Sequence, residues 1–244
     1  MRYAILADIH ANLAAFEAVL GDIERRGGAD QFWNLGDAVG YGPDPQECLD
    51  RLLKEDRIGV AGNHDLAATG KIPTASFNTE AAFAAHWAGQ RLSPEGKEYL
   101  VNEPLVIESG DFTLVHGSPR DPVWEYLVET ERARANLDHF KTRYCLVGHS
   151  HRPLVFQADE KGDVRRKDLS DGSRLELGER RLIINPGSVG QPRDGDPRAS
   201  YAIYDTESRS VTIHRVPYDI GLVQSRMAAL GLPRRLITRL SYGL

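Results

Sequence analysis

Five short stretches of this chain set oxygen or imidazole side chains at the end of an apolar run: Asp8-Ile9-His10, Gly36-Asp37, Gly62-Asn63-His64-Asp65, His116-Gly117 and Gly148-His149-Ser150-His151. Carboxylate, amide oxygen and imidazole without thiolate suit borderline divalent ions. Mn and Fe are favoured, Ni and Zn compatible, and a structural zinc site built on cysteine is disfavoured. The candidate ligands Asp8, His10, Asp37, Asn63, His116, His149 and His151 exceed what one ion needs. With one carboxylate shared they could serve two, and a two-ion site holds a hydroxide at neutral pH and clamps phosphate oxygens for in-line displacement. The leaving oxygen then needs a proton. His64 lies next to a candidate ligand and is not needed as one, so it is the expected general acid, with Asp65 as its orienting partner.

Taken singly these signals are weak. Asp-x-His is common, Gly-Asp at a strand end is usually a turn, and Gly-Asn-His-Asp forms turns in any protein. Their number and order carry the reading. His86, His139 and His214 fall inside helical or strand patterns and read as ordinary core or surface histidines.

The elements that must deliver these residues follow from hydrophobic period. Tyr3 to Ala7, Phe32 to Leu35 and Arg57 to Ala61 read as short strands, each ending at a candidate ligand, with Gly62 to Asp65 a terminal loop. In extended backbone Asp8 and His10, two apart, share a direction and could hold one ion; His149 and His151 follow the same rule. Leu13, Phe16, Val19, Leu20 and Ile23 recur at helical spacing behind an Asn12 cap, and Gly27-Gly28 stops that helix. A second helix starts near Pro45, and others cover Thr79 to Gln90, Pro94 onward behind a Ser93 cap, and Thr130 to Phe140. Leu105 to Ile107 and Phe112 to Val115 form a hairpin, and Tyr144 to Val147 leads to His149. The last third is mostly strand, interrupted by a polar excursion from Asp159 to Asp171, and two amphipathic segments, Ile220 to Leu230 and Arg234 to Leu240, close the chain. Strand-helix alternation with ligands at strand ends indicates a layered α/β fold.

At 244 residues the chain can bury a substantial core as one domain, and nothing in its length demands two. With 30 basic and 35 acidic residues it shows no electrostatic appetite for polynucleotides or anionic membranes. Cys48 and Cys145 make no disulfide framework, Met1 to Ala7 is too short for a signal sequence, and no apolar stretch approaches the roughly 20 residues that span a bilayer. A cytoplasmic protein acting on a small substrate is expected; association with further copies of itself is left open.

In order and spacing, the five motifs resemble the calcineurin-like metallophosphoesterase superfamily, over residues 8 to 151, and the β-rich remainder is compatible with that family's second sheet. The resemblance implies a four-layer α/β/β/α sandwich of two mixed sheets and a dinuclear centre. One ion would take Asp8, His10, Asp37 and His151, the other Asp37, Asn63, His116 and His149, with His64 as proton donor. The chain departs from the protein phosphatases of the family, where Gly-Asp leads to an Asp-Arg pair; here that place reads Val39-Gly40-Tyr41-Gly42. It looks more like the small bacterial and archaeal phosphodiesterases. Phosphate contacts would come instead from Arg193, Arg120 or the backbone of the Asn185 to Gln191 turn, with Tyr41 lining the pocket. Phosphodiester hydrolysis is the expectation; a nucleotidase-like monoesterase and a non-catalytic binding scaffold of the same fold are the alternatives. A scaffold can lose the proton donor without losing its fold, and His64 is retained.

Overall fold

Alternation along each strand sorts its side chains into two layers. In the first strand, β1 (Arg2–Leu6), Ala4 and Leu6 enter a core shared with helices, whereas Ile5, with Ala7 just beyond, enters a core between two sheets. The structure, a computed structural model, describes residues 1–159 and 161–244; residue 160 of the expected polar excursion lies outside the described residues.

After β1 come α1 (Leu13–Arg25), β2 (Gln31–Asn34), α2 (Pro45–Leu52), β3 (Arg57–Gly59), α3 (Asn63–Ala68), α4 (Thr79–Gly89) and α5 (Pro94–Asn102). The hairpin β4 (Val106–Ser109) and β5 (Phe112–Val115) leads to α6 (Thr130–Asn136) and β6 (Tyr144–Leu146). The remainder is β7 (Pro153–Ala158), β8 (Val164–Asp168), β9 (Arg174–Glu176), β10 (Leu182–Pro186), β11 (Ala199–Asp205), β12 (Ser210–Val216), α7 (Ile220–Ala229) and α8 (Arg234–Arg239). Two six-stranded mixed sheets result, in the orders β3-β2-β1-β11-β12-β9 and β4-β5-β6-β10-β7-β8.

Phe112, Leu114, Tyr144, Leu146 and Ile184 of the second sheet meet Ile5, Trp33 and Ile213 of the first between the sheets. The opposite face of the second sheet, Val115, Cys145, Phe156 and Ile183, packs under Ala133 of α6. Helices α1, α2, α4, α7 and α8 cover the first sheet through residues such as Phe16, Leu49, Trp87, Met227 and Leu236. The architecture is therefore α/β/β/α. Each fully buried large apolar side chain contributes about 1.5–3 kcal/mol, so three such layers make a stiff frame. Caps match the sequence reading: Asn12 accepts from Ala15 N at 3.1 Å and Ser93 from Gly96 N at 2.9 Å. Within the excursion, β8 pairs antiparallel with β7, as a hairpin should.

One local expectation is overturned. Residues 63–65 do not continue a loop; they open α3, with Gly62 in extended backbone at its N-cap. The turn-forming composition serves a helix start, because the Asp65 carboxylate at N3 reaches back to accept from Gly62 N at 3.0 Å.

Candidate metal centre

The parallel strands β1, β2 and β3 end on the same side of their sheet, as β5 and β6 do of theirs, so the loops that follow them converge. Extended backbone is not what aims the ligands. Asp8, His10, Asp37, His149 and His151 all have positive φ, between 49° and 62°, as do Ala11 and Tyr41. For non-glycine residues each such turn costs roughly 1–2 kcal/mol, and strain of this kind persists only where neighbours over-determine it. They do so here: Asp8 N donates to Gly36 O at 3.0 Å, His10 N to Asp37 O at 2.9 Å, Gly190 N to Asp8 O at 2.9 Å, and Ser188 Oγ to the same oxygen at 2.8 Å. The close approach leaves no room for side chains. A Cβ on Gly62 would lie 2.0 Å from Asp37 Oδ1, and one on Gly190 1.9 Å from Ile9 O.

Two groups of potential ligands result: Asp8, His10 and His151, and Asp37, His116 and His149. Within each, the donor atoms lie within 4.8 Å of one another. His149 and His151 therefore do not share a direction, as alternation implied; the left-handed turns send them to different groups. Asp37 reaches both, with Oδ2 3.6 Å from His10 Nε2 and 3.4 Å from His116 Nε2. Asn63 Oδ1 stands 3.1 Å from His116 Nε2. All seven residues are at most 4% exposed.

Ring orientation tests whether a cation fits. His10 Nδ1 faces Val39 O at 3.1 Å, His151 Nδ1 faces Gln191 O at 2.6 Å, His116 Nδ1 faces Leu35 O at 2.8 Å, and His149 Nε2 faces Trp124 O at 3.2 Å. A carbonyl only accepts, so each of those nitrogens carries the proton and each opposite nitrogen presents a bare lone pair to the centre. His10 and His151 then point two lone pairs at each other across 3.0 Å, and His116 and His149 do so across 3.2 Å. Asp8 Oδ2 is buried without a partner. Lone pairs and carboxylates pressed together in a dry site need positive charge between them, and the residues present fit two divalent ions.

Titration behaviour points the same way. Burial pushes Asp8 up to about 8. Burial also holds His10, His149 and His151 well below the usual imidazole range, which keeps them neutral. For His116 burial opposes the cation, yet the Asp37 carboxylate beside it outweighs that and lifts it to about 9, so without an ion a proton takes the lone pair that faces the centre and supplies the positive charge the site demands. Asp37 is correspondingly pulled below the carboxylate range: burial works against its charge, and His116 and His64 prevail.

His64 lies at this centre, 3% exposed, with Nδ1 buried and unpartnered. Its ring packs against Tyr41 at 4.3 Å and Phe77 at 4.9 Å, and burial lowers its pKa to about 4. Its backbone N donates to Asp37 Oδ1 at 2.8 Å. Asp65 is not its orienting partner. The Asp65 carboxylate accepts from Asp37 N at 2.8 Å, Gly62 N at 3.0 Å and Val39 N at 3.1 Å, so it fixes the turn that carries Asp37.

Arg193 reaches the centre, with Nε buried and unpartnered, one N–H donated to Gln191 Oε1 at 3.0 Å, and its guanidinium 5.7 Å from the Tyr41 ring. Its charge lowers the pKa values of Asp8, His10, His64 and His151. Arg120 is committed elsewhere, to Glu125 at 2.8 Å. The Asn185 to Gln191 turn does not offer its amides to a phosphate either: Gly187 N donates to Asn185 Oδ1, Val189 N to Ala7 O, Gly190 N to Asp8 O and Gln191 N to Ser188 Oγ. Two of those amides brace the segment just after β1, and two close the turn on itself. Sequence reasoning missed Phe77 and the carbonyls of Val39, Leu35, Gln191 and Trp124, none of which carries a local signal. Asn185, whose Nδ2 donates to Gly148 O at 2.6 Å, was legible only as part of a turn.

Two mixed sheets with carboxylates and imidazoles gathered at their strand ends define a metallophosphoesterase, and sequence comparison agrees. Residues 1–209 match the model of the calcineurin-like phosphoesterase superfamily domain, and the chain belongs to that family. It is 36% identical to an uncharacterized protein of Methanocaldococcus jannaschii, over 98% of this chain and 97% of that one. Among solved structures it is similar to a metallophosphoesterase from Sphaerobacter thermophilus, with a TM-score of 0.91 and 46% identity over 100% of this chain and 99% of that one. A hypothetical protein from Pyrococcus horikoshii shares the fold at a TM-score of 0.80 and 22% identity, covering 100% and 98% of the two chains. Among the described residues no helix is long and apolar enough to cross a membrane.

Proposed function

We propose that the protein hydrolyses a small phosphodiester at a dinuclear centre, one ion held by Asp8, His10, Asp37 and His151 and the other by Asp37, Asn63, His116 and His149. The observation that carries this reading is Asp37 Oδ2, within 3.6 Å of His10 and 3.4 Å of His116, between two sets of converging lone pairs. When bound, such ions supply an activated water at neutral pH and neutralise charge on the phosphate. Mn or Fe fits the mixed oxygen and imidazole donors, with Ni or Zn compatible.

The chain's own residues do the rest. Asp65 and Gly62 hold the Asp37 turn in place, and the backbone carbonyls fix each imidazole tautomer. Arg193 offers an unpaired N–H to a phosphate oxygen, in the role that the missing Asp-Arg pair would have filled, with Tyr41 lining the same pocket. His64 protonates the leaving oxygen. Buried and near pKa 4 it is neutral by itself, and an arriving phosphate brings the negative charge that lets the imidazolium form where it is used.

The test is hydrolysis of bis(4-nitrophenyl) phosphate against 4-nitrophenyl phosphate by metal-stripped protein with Mn, Fe, Ni, Zn or Mg restored singly. A metal-dependent preference for the diester is expected. A monoester preference moves the assignment to a phosphatase, and no turnover despite two bound ions leaves only the binding scaffold.

A further inference from the structure

Aromatic rings from two loops roof the centre, and phosphoester hydrolysis alone does not call for them. Phe77, on the largely exposed linker between α3 and α4, stands edge-on to His64 at 4.9 Å and to Trp124 at 5.2 Å. Tyr126 stacks on the candidate ligand His149, ring centroids 3.8 Å apart at 28°. It nevertheless remains 43% exposed, so the ring that rests on the imidazole also meets solvent.

The loop carrying Trp124 and Tyr126 is tied down between them. Glu125 is buried and accepts from Ser118 Oγ at 2.6 Å, from Asn136 Nδ2 at 2.8 Å and from Arg120 Nε at 2.8 Å. Trp124 O accepts from His149 Nε2 at 3.2 Å, which fixes the loop to the centre itself. Rings held this way lose little freedom when something stacks on them, so an exposed ring becomes a pre-organised surface. A planar base recovers face-to-face stacking that a sugar or alkyl group lacks.

We propose that Phe77, Trp124 and Tyr126 form a base-binding subsite beside the metal centre, and that the substrate carries a nucleoside on the side of the phosphate that does not leave. This inference rests on the phosphodiester reading and narrows its substrate to a mononucleoside diester.

Two diesters with one leaving group provide the test: thymidine 5′-(4-nitrophenyl phosphate) and methyl 4-nitrophenyl phosphate. The nucleoside diester is expected to show kcat/KM about tenfold or more higher, through KM, as base–aromatic stacking allows. Trp124→Ala and Tyr126→Ala should cost the nucleoside diester about tenfold more than the methyl diester, whereas Trp124→Phe and Tyr126→Phe, which keep a ring, retain most of the preference. Equal activity on the two diesters, or equal losses on both in the alanine variants, overturns the subsite. Calorimetric binding of thymidine 5′-monophosphate against ribose 5-phosphate to metal-free protein reads the same surface without turnover. A gain for the base that disappears in Tyr126→Ala supports the subsite even if neither diester is hydrolysed, a result that would sink the phosphodiesterase reading alone; no gain for the base overturns the subsite.

Discussion

Asp65 offers the sharpest check on how the centre is held. Its carboxylate accepts three backbone N–H groups, from Asp37 and Gly62 on Oδ2 and from Val39 on Oδ1, in a site 1% exposed. Burial and the neighbouring Asp37 charge push its pKa up to about 7, while the Gly62 and Val39 N–H groups favour the charged form. Two donors on Oδ2 and one on Oδ1 favour the charged form, and above pH 7 the folded protein holds the carboxylate mostly ionised. In Asp65→Asn the amide oxygen can replace Oδ2, but the NH2 group then faces Val39 N–H, donor against donor. One charge-assisted bond is lost, at about 1.5–3 kcal/mol, and the two that remain weaken because their acceptor is neutral. The sum is about 3 kcal/mol, or roughly 6–12 °C in melting temperature for a chain of this size. Thermal and urea unfolding of the metal-free variant and parent, at pH 7.5, reads it directly. A melting temperature within 1 °C of the parent would refute the reasoning, because a protonated Asp65 is nearly isosteric with asparagine and would lose nothing.

His64→Ala should leave two ions per chain bound and slow diesters with alkoxide leaving groups at least about tenfold more than nitrophenyl esters, since an activated phenolate hardly needs the proton; equal losses would remove His64 from that role. Asp37→Asn should lower the bound metal below two ions per chain, measured by atomic emission after gel filtration, and a variant with both ions and full activity contradicts the bridging assignment. His214, in β12 against Tyr201, titrates near 4 when folded because it is buried, against 6.5 as the ordinary value. Below pH 6.5 the unfolded chain takes up a proton that the folded chain refuses, so this residue's contribution to stability falls as pH falls towards 4. Between pH 7 and 5 the loss is about 2 kcal/mol. His214→Gln should flatten the stability curve by that amount over that range, and parallel curves would disprove it.

Much of this molecule is written locally. Apolar runs of four or five residues, helical spacing from Leu13 to Ile23, the Asn12 and Ser93 caps, and ligand types placed after strands suffice to read a layered α/β fold and the seven residues that meet at its strand ends. Local pattern failed where a side chain's role depends on distant backbone. Gly62 to Asp65 has the composition of a turn, yet Asp65 caps Gly62 N and opens a helix, and only the tertiary fold brings the Asp37 and Val39 amides onto the same carboxylate. The Asn185 to Gln191 turn looks able to grip an anion, yet two of its amides are taken by Ala7 and Asp8 just beyond β1 and two by Asn185 and Ser188 within the turn. Arg120 and Arg193 are both candidates on paper; Glu125 claims the first, whereas the second keeps a buried Nε without a partner.

The amino-acid order thus determined which residue types stand at each strand end, because hydrophobic period and chain reversal are short-range properties. Where those side chains point was decided in three dimensions. Left-handed turns at Asp8, His10, Asp37, His149 and His151 are unfavourable for each residue alone, and they exist because hydrogen bonds between loops far apart in sequence outweigh their cost. The division of His149 from His151 and the place of Asp37 between the two groups follow from that long-range bracing, which no window of sequence contains.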